Sequence, residues 1–267
     1  LHACSDLWAS GARVDSAQAI VTLPVLEAAE QQELLVQTLC GVRSVLEEQQ
    51  AQLIGGHTLE SRSEPPHCPG LGVQLSLCVN GRSASPWSKG GIAHGDVLLL
   101  SRPLGTGVLF AAAMAGACQP EALDTVLQHM SRSQHRLLDQ LEPHRQAIHA
   151  CTDVTGFGLL GHLGEMLASS SPLRVTLWAN RIPAYPTAVD RLAQGYASSL
   201  APANRRSWQW LDGLIQLDDS PSQALLELLV DPQTCGPLLL ACPETTAQTL
   251  TAEGPWIPIG NATADHG

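Results

Sequence analysis

The chain has 267 residues, 44% of them apolar and only 15% charged, and its 14 basic and 25 acidic side chains leave a net charge of −11. That length holds one large domain or two of ordinary size around a sizeable core, which excludes a wholly disordered chain. All basic residues but Lys89 are arginines, and the densest spot is Arg205-Arg206. A nucleic-acid partner is excluded for want of a basic stripe, so an acidic protein that handles phosphate must rely on metal ions or backbone N–H groups.

In chain order, residues 17–23 are β-branched and apolar and predict a strand ending at Pro24. Apolar residues at helical spacing predict an amphipathic helix over 27–50. Residues 51–54 read as a short strand entering a loop, Gly55-Gly56-His57-Thr58, and a proline-rich loop follows over 64–69. Strict alternation from Leu71 to Val79 predicts a strand with one face buried. Another strand, fully buried, is expected at 97–100, and Pro103 is the best internal boundary. Beyond it the pattern predicts an alanine-rich helix over 108–115 and a longer polar helix over 121–141. A short strand at 147–151 then delivers Asp153, and a helix follows over 159–168. Strands at 173–178, 238–242 and 256–259 and helices at 186–194, 223–230 and 244–252 complete a mixed α/β or α+β chain.

The eight cysteines contain no C-x-x-C pair, which argues against a zinc ribbon or a thioredoxin-type site. Isolated cysteines in apolar settings, such as Cys78 and Cys242, read as reduced, buried thiols of a cytoplasmic protein. The longest apolar run, 108–115, is too short for a bilayer, and no export leader is expected. The opening at Leu1, directly in pattern, reads as part of a longer polypeptide. A surface so poor in charge is expected to be covered in part by a partner subunit or by further chain.

No phosphate-binding loop of the Gly-Lys-Ser type can be written around Lys89. Gly105-Thr106-Gly107 is either a turn opening a helix or a set of N–H groups facing an anion. The glycines at 55 and 56 either let a backbone approach a ligand, with His57 and Thr58 as polar contacts, or form an ordinary loop. Asp6 either caps a helix or binds a cation, since an unpaired carboxylate is costly to bury. Asp153 ends a strand and begins a turn with glycines at 156 and 158. An Asx-turn explains the carboxylate, but not the two glycines. Open backbone beside a carboxylate at a strand's C-terminal end suits a hydrated divalent ion carrying phosphate. His162 reads as a packing residue, and His129, His135, His144 and His149 as surface.

Taken together, segments 1–9 (LHACSDLWA), 54–58 (IGGHT), 95–107 (GDVLLLSRPLGTG), 152–166 (TDVTGFGLLGHLGEM) and 231–234 (DPQT) resemble the selenophosphate synthetase (selenide, water dikinase) family of the aminoimidazole-ribonucleotide-synthetase-like superfamily. The resemblance implies an α/β plus α+β, two-domain fold. Residues 1–102 would form an ATP-binding, dimerising domain that lacks its start, and residues 103–267 an α+β domain. It implies a cytoplasmic homodimer, joined through its N-terminal sheets, that turns ATP, selenide and water into selenophosphate, AMP and phosphate with Mg²⁺. Asp6 and Asp153 match magnesium ligands of the family, Asp6 also touching nucleotide, and Gly56, His57 and Thr58 match its nucleotide-contacting loop. The family's reactive Cys or selenocysteine and its catalytic Lys belong to a segment ahead of Leu1, so no catalytic residue is expected in these 267 residues, which alone are expected not to make selenophosphate. The sequence departs from the family pattern at Ser10, at Arg102 (usually Lys), and at Cys235 and Pro237 in a stretch that usually reads Ser-Gly-Gly. Two other readings remain: a related superfamily kinase or synthetase with another substrate, and a non-catalytic dimerising module of a fusion protein.

Overall fold

In the computed structural model, which describes residues 1–61, 72–170 and 173–264, contacts divide the chain into two units. One comprises residues 12–84, and the other residues 1–11 together with 85–267. The loop expected over 64–69, with Leu71 and Cys68, lies outside the described residues. The larger unit begins with a 3-10 turn (His2–Cys4) that runs into helix α1 (Ser5–Ala9).

The smaller unit is a three-stranded sheet and one helix: β1 (Arg13–Leu23), α2 (Ala28–Glu48), β2 (Gln52–Glu60) and β3 (Gln74–Arg82), with β1 central, parallel to β2 and antiparallel to β3. A capping box between Glu27 and Glu30 starts α2. Leu34, Leu35 and Leu39 of that helix pack on Ala19, Val21 and Leu23 of β1. Gly55 to Thr58 is not a loop but mid-strand, with Gly56 opposite Ala19 and His57 opposite Ile20. Gly56 has φ +152°, and a Cβ there would stand 1.8 Å from the Ala19 carbonyl oxygen, so the strand itself requires glycine. The expected buried face of β3 is only half-buried at Leu77 and Val79, and Cys78 is exposed rather than buried.

In the larger unit the order is β4 (Asp96–Leu100), α3 (Thr106–Met114), α4 (Pro120–Met130), α5 (Leu137–Leu141), β5 (Ala150–Asp153), α6 (Gly158–Ala168), β6 (Leu173–Leu177), α7 (Ala188–Ala193), α8 (Ala201–Asn204), β7 (Ile215–Leu217), α9 (Gln223–Val230), β8 (Leu238–Pro243), α10 (Glu244–Glu253) and β9 (Ile257–Ala264). Six strands form one mixed sheet in the order β5-β8-β4-β9-β6-β7. β4 is buried along its whole length because it is central, hydrogen-bonded to β8 on one side and β9 on the other. That pairing moves the boundary expected at Pro103: residues 85–102 belong with the C-terminal unit, as do residues 1–11. The helix expected over 121–141 is broken between α4 and α5, where Gln134 turns inward to accept from Ser101 Oγ and donate to the Gly236 carbonyl. Leu98 and Leu100 of β4 join Leu159, Leu160, Leu163 and Met166 of α6 and Leu228 and Leu229 of α9 in the core. Among the described residues, no helix is long and apolar enough to cross a membrane.

The two readings of Gly105 to Gly107 are resolved in favour of the structural turn. Gln233 Oε1 accepts from the N–H groups of Gly105 (3.0 Å) and Thr106 (3.2 Å), and Asp231 Oδ2 accepts from that of Gly107 (3.0 Å). The free N–H groups at the start of α3 are thus satisfied by the Asp-Pro-Gln-Thr segment and face no open ligand space. Burial pushes the Asp231 carboxyl up to about 7, with its hydrogen bonds from Gln233 and Gly107 opposing that rise. Gln233→Ala strands two buried donors and is expected to lower unfolding free energy by about 1–3 kcal/mol. Urea denaturation with an unchanged midpoint would contradict that role.

Candidate functional site

β5 pairs antiparallel with β8, which sets Asp153 opposite Leu238 at the strand end. The next residue is anchored as well, because Val154 N–H donates to the Pro237 carbonyl at 2.8 Å. The chain then turns, and Gly158 opens α6 with φ +70°, where a Cβ would meet the Val230 backbone at 2.7 Å. One of the two glycines in this turn therefore has a packing reason, whereas Gly156 faces open space.

Asp6 and Asp153, 147 positions apart, meet here. Asp6 projects from α1 and is exposed, while Asp153 is only 6% exposed. The Ser5 hydroxyl lies 2.5 Å from Asp153 Oδ2 and 2.9 Å from the His2 carbonyl oxygen, so α1 holds the buried carboxylate from its own N-terminus. The Asp6 and Asp153 carboxyls are close enough to interact and line the same cavity. Burial, and then the neighbouring Asp153 charge, raise the Asp6 carboxyl above the ordinary carboxylate range, against the opposing pull of His2 and Lys89. A like-charged pair of this kind is relieved either by a shared proton or by a cation.

Both carboxyls line a cavity of about 410 Å³ with Lys89, Thr155, Phe157, His162 and Glu165. Lys89 forms an ion pair with Glu165 at its wall. His162 is buried; its Nε2 accepts from the Thr155 N–H at 3.1 Å, which makes Nδ1 the protonated nitrogen of the neutral ring. Burial, followed by the Lys89 charge, lowers the His162 pKa. Nδ1 lacks a hydrogen-bond partner and stands 3.8 Å from Glu165 Oε2.

Reading the sequence gave Lys89 and Glu165 no place in the site. The only signal was that Glu165 falls one helical turn after His162 and that the chain has a single lysine. Gly56, His57 and Thr58 lie on β2 of the 12–84 unit, with His57 and Thr58 exposed. His149 is not a bare surface residue, because its Nδ1 contacts the buried Asp96 carboxylate at 2.9 Å, and His135 Nδ1 lies 2.8 Å from Ser133 Oγ. Among the described residues, no group of three or more His, Cys, Asp or Glu side chains is arranged to hold a metal. Two carboxylates nonetheless suit Mg²⁺, which keeps several waters and is bound through one or two carboxylates and substrate phosphates rather than a full protein cage.

Residues 93–267 match the family described as AIR synthase related protein, C-terminal domain. Selenide, water dikinase of Desulfitobacterium hafniense (strain DSM 10664 / DCB-2) is 33% identical over 251 residues, which cover 92% of this chain and 67% of that protein. Selenide, water dikinase of Nitratidesulfovibrio vulgaris (strain DP4) is 34% identical over 248 residues, 91% of this chain and 65% of the relative. The chain thus spans about two thirds of the length of the curated relatives it matches. Among solved structures, hydrogenase maturation protein HypE superposes with a TM-score of 0.66 at 18% identity, covering 98% of this chain and 72% of its own. Thiamine monophosphate kinase from Aquifex aeolicus gives 0.65 at 15% identity, covering 97% and 74%. These two share the fold. By the domain match and the identity with its relatives, the chain belongs to the selenide, water dikinase family of AIR-synthase-related proteins.

Proposed function

We propose that these residues form the nucleotide- and metal-holding part of an ATP-dependent phosphotransferase that makes selenophosphate from selenide and water, releasing AMP and phosphate. The observation that carries this reading is the convergence of Asp6 and Asp153 in one cavity of an acidic protein. It is supported by the names of the relatives and by neighbours of the same fold solved with nucleotide, HypE with ATP and the Aquifex kinase with AMPPCP and TMP.

In this reading Asp6 and Asp153 hold Mg²⁺. When bound, the ion neutralises the polyphosphate and lets a −11 protein accept ATP. The chain's own residues prepare that state. Ser5 fixes Asp153, Asp6 brings a second carboxyl beside it, and the Lys89–Glu165 pair sets an ammonium group in the cavity wall. His162 pins the turn after Asp153 through the Thr155 N–H. Phosphoryl transfer needs mainly alignment and charge neutralisation, which is what such a constellation can supply. Gly56, His57 and Thr58 contribute nucleotide contacts from β2. Homodimer formation is supported by the β1 face turned away from α2, where Ile20 and Leu59 are exposed with His57 and Cys78.

Isothermal titration of the chain with Mg-ATP tests the metal site. Asp6→Asn and Asp153→Asn are each expected to weaken binding by about tenfold or more, and EDTA to abolish it. Because burial and the Asp153 charge raise the Asp6 pKa, and the metal needs the carboxylate form, affinity is expected to fall on acidification, beginning at a higher pH than for an ordinary carboxylate, and Asp6→Asn to flatten the profile. Absence of Mg-ATP binding in the parent chain would favour a non-catalytic module instead. The reaction itself is tested with a form of the protein that spans the full length of the relatives. AMP release is expected with selenide and no ADP formation with thiamine monophosphate; ADP formed with thiamine monophosphate and no AMP with selenide would overturn the substrate.

A further inference from the structure

A second cavity of the larger unit, about 350 Å³, is lined by Arg102, His129 and Arg132 together with Leu137 and Ile257. It shares no lining residue with the Asp6–Asp153 cavity. In a chain of net −11, three potentially cationic groups face one another here. Burial first, and then the charges of Arg132 and Arg102, hold the His129 imidazole below its usual pKa. Arg102 and Arg132 make no ion pair among the described residues, unlike Arg43, Arg82, Arg145 and Arg205.

Arg102 is fixed rather than neutralised. Its Nη1 donates to the Cys235 carbonyl at 3.0 Å, and its Nη2 to the Arg132 carbonyl. Both acceptors are uncharged, and of the five N–H donors of a guanidinium three remain. Burial lowers the Arg102 pKa, the mark of a charge that has lost water without gaining a counterion. A guanidinium pinned in one orientation, with a second beside it, suits an anion with several oxygens, and two positive charges match a phosphate dianion better than a carboxylate. The cavity has the volume of a small-ligand site, and Leu137 and Ile257 offer an apolar wall for a carbon body.

We propose that this cavity is an anion site for a small phosphate-bearing molecule, held by Arg102 and Arg132 and separate from the proposed nucleotide site. The test is calorimetric titration of the full chain with inorganic phosphate in EDTA, so that no metal brings phosphate to the carboxylates, and with acetate at equal ionic strength. One saturable site is expected, tighter for phosphate than for acetate. Arg132→Gln, on an exposed side chain, and Arg102→Gln are each expected to weaken it by about tenfold or more. Lys89→Ala, which alters only the other cavity, is expected to leave it unchanged. The proposal is overturned by absence of saturation in the parent chain, by acetate binding as tightly as phosphate, by full affinity in both arginine variants, or by loss of binding in Lys89→Ala. None of these outcomes depends on whether the chain binds Mg-ATP.

Discussion

Two carboxyl groups in contact within an acidic protein set the terms for the rest of the larger unit. Asp153 is buried at the end of β5 and receives the Ser5 hydroxyl; Asp6, one residue on from Ser5, stands beside it with its pKa raised by burial and by the Asp153 charge. The Asp153 charge opposes ionisation of Asp6. A divalent cation turns the same geometry into a binding site, because it favours the charged form of both groups and leaves positive charge for phosphate oxygens. The surrounding chain is arranged to hold that pair. The sheet fixes Asp153, α1 brings Asp6 and Ser5, and the Lys89–Glu165 pair and His162 form the wall.

Elsewhere the unit shows what a phosphate-like motif becomes when the protein fills it. The glycine turn before α3 offers N–H groups of the kind that bind anions, yet Asp231 and Gln233 occupy them from the other end of the chain. The Asp-Pro-Gln-Thr segment is therefore an internal ligand for a helix start. It ties β4 and α3 to the loop between α9 and β8, and the inward turn of Gln134 secures the same region through Ser101 and Gly236. Donors and acceptors of the helix start are paired here, which leaves the Asp6–Asp153 cavity and the Arg102–Arg132 cavity as places where charge remains to be met.

The alternation and helical spacing that depend on nearest neighbours were legible: β1, α2, β4, α6, α9 and β8 lie close to where the patterns predict them. Asp153 was legible as a strand-end carboxylate because β5 and the following turn are contiguous in sequence. That Asp6 would meet it was an expectation from family resemblance, since composition and spacing carry no information about contacts across 147 positions. The same limit hid the Gln233 bonds to Gly105 and Thr106, the Lys89–Glu165 pair and the His149–Asp96 contact. The glycine pair at 55 and 56 misled in a different way: read as a loop signal, it serves a close strand approach at Gly56. The boundary at Pro103 failed because a proline marks the end of β4, and only the pairing with β8 and β9 tells which unit owns that strand.

The central claim is that Asp6 and Asp153 jointly hold the cation that carries the polyphosphate. Its most direct test is a crystal of the chain grown with Mn²⁺ and a non-hydrolysable ATP analogue, with data collected for manganese anomalous scattering. An anomalous peak bonded to oxygens of both carboxylates and to the analogue's phosphates is the result the account predicts. Nucleotide bound with its manganese away from these two side chains would contradict it.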